Sequence, residues 1–123
     1  GFFRKIMVPG ETDQGIHVER LSISASTAST YVIEATLIQV AERPSIVSGS
    51  VRLEIQGTQN GEPVRLMTAD LGGTPTNLEF RFRYFQALEQ TVELPTQFTP
   101  SSIKVAVIGK KGTPIEAEFV WPV

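Results

Sequence analysis

The chain has 123 residues, 41% hydrophobic and 20% charged, and a formal net charge of -2 from 11 Lys+Arg against 13 Asp+Glu. That is the size and composition of one folded domain, able to bury roughly two-thirds of its unfolded surface without a disulfide or metal staple. With no cysteine a disulfide framework and thiol chemistry are excluded, and without a basic surplus no nucleic acid partner is expected, because neutralising phosphates supplies most of such affinity.

The first segment, "FFRKIM" at Phe2–Met7, sets Phe2, Phe3 and Ile6 at helical spacing, and the following Val8-Pro9-Gly10 stops the pattern. It predicts the last turn or two of a longer helix. No apolar run approaches the ~18 residues that span a bilayer, and no signal peptide is present, so any membrane anchor is expected upstream of Gly1. The expected organisation is residues 1–10 as the end of an upstream helix or coiled coil and residues 11–123 as a single β domain.

From Ile16 onward the period is 2. Leu21, Ile23 and Ala25 alternate with Ser22 and Ser24, and Tyr31, Ile33, Ala35 and Leu37 with Glu34 and Thr36. Val51, Leu53 and Ile55 come next, then Val64 and Leu66. Leu78, Phe80 and Phe82 alternate with Glu79, Arg81 and Arg83, and Val92 and Leu94 follow. Ile103, Val105 and Val107 precede Ile115, Ala117, Phe119 and Trp121. Eight short runs with one apolar face each predict an all-β fold, an antiparallel β-sandwich of immunoglobulin-like architecture with seven to eight strands.

The turns fix registers. Asn60-Gly61 is the commonest type I′ pair and sets Gln59 against Glu62 and Ile55 against Leu66. Lys110-Lys111-Gly112 as a three-residue loop sets Val105 against Ala117. The long connection Thr68–Asn77 is expected to cross between sheets. In "LEFRFRYFQALEQTVELP", Leu78–Pro95, aromatic and arginine residues alternate, a pattern that serves either base stacking or core packing. A loop at Gln86-Ala87-Leu88 places Phe82 opposite Val92 and Phe80 opposite Leu94, with Arg81 outside opposite Glu93. Two buried phenylalanines contribute roughly 1.5–3 kcal/mol each, an exposed ion pair only ~0–1, so the core reading prevails.

No constellation carries chemistry. His17 is a lone strand histidine without partners at metal-ligand spacing. "SGS" at Ser48–Ser50 lacks the frame of a nucleophile elbow, and "LGGTP" at Leu71–Pro75 lacks the lysine and helix of a phosphate loop. Glu116 and Glu118 share one strand face, whereas catalytic carboxylates need opposed placement. Catalytic residues, cofactors and metal sites are therefore expected to be none, and the domain is not expected to be an enzyme.

"FFRKIMVP" with "GIHVERLSI", and "LEFRFRYFQALEQTVELPTQFTPSSIKVAV" with the final "FVW", resemble an uncharacterised family of Gram-negative envelope proteins. There an N-terminal transmembrane helix leads into a coiled coil that ends at an F-Y-R-x-I-x-x-P-like motif. A C-terminal β domain follows, with the pattern F-x-Y-F-Q…L-P-x-x-F-x-P-x-x-V-x-V-x-V. Phe3 stands where that motif has tyrosine. The resemblance implies a periplasmic domain of an inner-membrane protein, touching the membrane only through an upstream anchor and forming a homo-oligomer through its coiled coil. It implies no activity. The expected function is non-catalytic interaction with another envelope protein, through an exposed sheet edge or a sandwich face. The alternative is a carbohydrate or peptidoglycan module, for which Trp121 or Tyr84 would have to lie exposed in a groove.

Overall fold

The computed structural model describes residues 5–7, 15–71, 78–110 and 114–122. These form nine strands: β1 (Lys5–Met7), β2 (Ile16–Ala25), β3 (Thr30–Gln39), β4 (Val47–Gln59), β5 (Glu62–Met67), β6 (Leu78–Phe82), β7 (Phe85–Glu93), β8 (Phe98–Gly109) and β9 (Ile115–Val120). A short 3-10 turn at Thr68–Asp70 is the one helical element among the described residues. The larger sheet runs β1-β9-β8-β4-β5, with β6 also paired to β4, and the smaller sheet runs β2-β3-β7. All pairings are antiparallel. The expected all-β sandwich is the fold, and one buried apolar cluster draws on both sheets.

Alternation decides which side chains enter that cluster. Leu78, Phe80 and Phe82 are buried while Glu79 and Arg81 are exposed, and Ile103, Val105 and Val107 of β8 follow the same rule. The Asn60–Gly61 turn has positive φ at both residues, 54° and 83°, as a type I′ turn requires. It gives the expected pairs Gln59↔Glu62 and Ile55↔Leu66. Val105 likewise faces Ala117; of the loop beyond, Lys111 and Gly112 lie outside the described residues.

Two bulges reset the alternation. Val18 and Leu21 are both buried although three residues apart. The pairing with β3 shifts between Val18 and Arg20, leaving Glu19 as the extra residue, so both halves of β2 face inward. On β8 the shift opposite Gln56 and Gly57 leaves out Ser101. Its Oγ donates to the Gln56 carbonyl at 3.0 Å, and its own carbonyl accepts the Trp121 N–H at 3.0 Å. Pro100 is tolerated inside this central strand because it sits at the bulge.

Three expectations are corrected. Gln86–Leu88 is not a loop: β7 begins at Phe85 and pairs with β3, while β6 pairs with β4. The chain changes sheets at Arg83–Tyr84, so Phe82 faces Val47, Phe80 faces Gly49 and Arg81 faces Ser48. Second, Thr68–Asn77 does not join the two sheets, because β5 and β6 both flank β4 in the larger one. Third, Lys5–Met7 is strand and not a helical remnant. It pairs with β9, Lys5 to Phe119 and Met7 to Glu118. A helical turn this short is costly to nucleate, whereas the edge of β9 offers ready ladder partners. Phe2 and Phe3 lie outside the described residues.

β4 is flanked on one side by two short strands. The pairing with β5 ends at Glu54↔Met67 and that with β6 ends at Val51↔Leu78, which leaves Arg52 and Leu53 between them. Thr68 fills the gap. Its hydroxyl lies 3.3 Å from the Leu53 carbonyl and 3.2 Å from Gln90 Oε1 on β7, and both Thr68 and Gln90 are buried. A buried polar pair of this kind is stable only because its groups find each other.

Candidate functional site

The structure places the polar residues singled out in the sequence on separate strands. His17 is half-buried on β2 opposite Ile38, and Glu116 and Glu118 lie on β9 in the other sheet. No group of three or more His, Asp or Glu side chains among the described residues could hold a metal ion. Ser48–Ser50 lies inside strand β4. A depression of about 390 Å³ on the outside of the larger sheet is lined by Arg52, Glu54, Lys104 and Glu116 around Ala106. There Lys104 Nζ lies 4.0 Å from Glu54 Oε2, so its chemistry is that of a solvated charge ladder. Gly72–Pro75 lies outside the described residues.

The feature that stands out is apolar. Of the large hydrophobic side chains left exposed among the described residues, Val40 (57%), Ile46 (46%), Tyr84 (63%) and Phe85 (68%) fall at one end of the sandwich. The pairing explains why. The Gln39 N–H donates to the Tyr84 carbonyl at 3.0 Å, which brings Val40 beside the corner between β6 and β7. Val47 pairs with Phe82, which brings Ile46 there too. Phe85 faces Ile38, which in turn faces His17, so the corner runs on into the outer face of the smaller sheet. Single exposed hydrophobics are ordinary, but a cluster of them marks an interaction surface more often than an accident.

Trp121 has the opposite placement. It is buried and meets Tyr31 edge to face, with ring centroids 5.4 Å apart and planes at 79°. Tyr84 is exposed at the corner between β6 and β7. Sequence reasoning considered Tyr84 only for a carbohydrate groove and gave Phe85 no role beyond the family pattern. The available signal was the lost alternation at Arg83-Tyr84-Phe85, which puts Phe82 and Phe85 on opposite faces.

The same corner carries the most distinctive stretch of the chain. Phe82 is buried, Tyr84 and Phe85 are exposed, and the Gln86 side chain accepts the Arg81 N–H at 2.8 Å, tying β7 back to β6. The chain belongs to a family of unknown function, DUF6776, which matches residues 1–105. The family match runs through every strand up to the middle of β8. No curated protein matches the chain. Among the described residues no helix is long and apolar enough to cross a membrane.

Proposed function

We propose that this family member is a non-catalytic interaction domain that binds another protein of the cell envelope. In this reading it is the periplasmic head of a membrane-anchored protein whose upstream coiled coil makes it a homo-oligomer. The observation that carries the reading is the cluster of Val40, Ile46, Tyr84 and Phe85. Two exposed aromatic side chains lie there with two exposed aliphatic ones, and aromatic residues are enriched among interface anchors. The family resemblance contributes the envelope setting.

The experiment is capture from envelope extracts by the full-length protein, comparing wild type with the double variant Tyr84→Ser, Phe85→Ser. Both side chains are exposed, so the variant should keep the native far-UV spectrum and lose its partner. Undiminished capture by a folded double variant would overturn the reading. The carbohydrate or peptidoglycan alternative draws on Tyr84 alone, since Trp121 is buried, and sedimentation with purified peptidoglycan tests it directly.

A further inference from the structure

The two sheets expose edges of very different quality. β1 has three residues, β5 six and β6 five, all short for pairing with another chain. β2 is broken by the bulge at Glu19, one of the devices that blunt an edge. β7 differs from all of these. It has nine residues and pairs with β3 without interruption from Thr30↔Glu93 to Ile38↔Phe85. Among the described strands none lies on its other side.

The outer face of β7 reads apolar at one end and acidic at the other. Phe85 is exposed at the start, and Glu89 follows four residues later on the same face. Glu89 stands directly opposite Glu34 of β3. Like charges facing each other across a strand pair are destabilising, and no cation among the described residues pairs with either carboxylate. Both carboxylates stand on the outer face of the sheet, so a cation brought there by a partner strand would offset the repulsion at Glu89.

We propose that β7 is a docking edge for an extended segment of a partner protein, added as a fourth strand to the smaller sheet. That segment carries an apolar side chain four residues from a lysine or arginine. Four residues along a strand cover about 13 Å and return to the same face, so the apolar side chain meets Phe85 while the cation meets Glu89. Backbone pairing supplies the affinity and these two side chains supply the selectivity, as in other strand-addition complexes. A second copy of this chain is a poor occupant. Antiparallel pairing of β7 with itself in full overlap sets Glu89 against Glu89 and Phe85 against Glu93. The acidic face thus disfavours that self-pairing and leaves the edge open to a basic strand.

This inference rests on the interaction-domain reading and narrows it to one edge and one partner chemistry. The test uses the 123-residue chain, isotopically labelled for amide NMR, and two ten-residue peptides of alternating threonine and valine. One peptide carries phenylalanine and lysine four residues apart on one face, and the other has glutamate in place of that lysine. The lysine peptide should shift the amides of Phe85–Glu93 and bind about fivefold or more tightly than the glutamate peptide, and Glu89→Lys should reverse that preference. Equal binding of the two peptides, shifts confined to other strands, or no binding at millimolar peptide would overturn the proposal. The full-length capture assay separates the two readings. If Phe85→Ser abolishes capture while Glu89→Lys leaves it intact, the interaction domain stands and the basic-strand edge falls.

Discussion

Arg81 and Phe82 are adjacent in sequence and opposite in consequence. Phe82 is buried beside Phe80, with ring centroids 5.6 Å apart, while Arg81 is exposed opposite Ser48. Phe82→Ala is expected to lower unfolding free energy by about 3–5 kcal/mol, since it removes a large ring and leaves a cavity. Arg81→Ala should cost less than about 1 kcal/mol. Urea denaturation of the two variants measures both, and equal costs would refute the assignment of faces. Packing on the inner face is tight enough to constrain Gly49. A Cβ there would collide with the Ile108 carbonyl of β8 and come within 2.8 Å of the Phe80 ring, so the glycine of "SGS" answers to its neighbouring strands and not to a nucleophile. At this scale alternation made the burial of the rings legible, because a period of 2 assigns the face of every residue in a strand. It could not tell which strand each ring faces. The pairs Phe80↔Gly49 and Phe82↔Val47 join segments some thirty residues apart, and no local pattern encodes that.

Among the elements, the split flank of β4 is where the two sheets meet through a polar contact. Thr68 closes the gap between β5 and β6 and reaches Gln90 on the opposite sheet. Thr68→Val keeps the volume and removes the hydroxyl, leaving Gln90 short of a buried partner, and should destabilise by about 1–3 kcal/mol. Adding Gln90→Leu removes the other polar group, so the double variant should lose less than the two single variants together. A double-mutant cycle in urea reads the coupling, and strict additivity would show that the contact contributes nothing. The hairpin at Asn60–Gly61 was legible in detail, since its turn residues dictate its own register. The corner at Arg83–Tyr84 was not. A two-residue break there suits a crossing between sheets as well as a hairpin, and β7 finds its partner in β3, not in the strand that precedes it.

For the whole molecule, the fold class was legible from the repeated short apolar runs, but the apolar end was not. Val40, Ile46 and the Tyr84–Phe85 corner come from separate connections and form one surface only after both sheets are assembled. The proposed coiled coil is open to a direct check. Extending the chain upstream by about three heptads should make it dimeric or larger, because a sustained apolar seam drives such helices together. Sedimentation at tens of micromolar, roughly where a moderate coiled coil associates, decides it, and a monomer there would sink the anchored-coil reading. The polarity of β1 then gains a meaning in terms of reach. β1 runs antiparallel to β9, its Lys5 beside Phe119, and Phe119 lies in the row of Ile103 and Ile55. That row is six residues along β4, about 20 Å, from the row of Gly49 beside the apolar end. β1 is also directed towards that end. In the proposed anchored protein a stalk continuing back from Lys5 would leave from the opposite pole. Tyr84 and Phe85 would then stand at the end of the domain away from the stalk, facing away from the membrane.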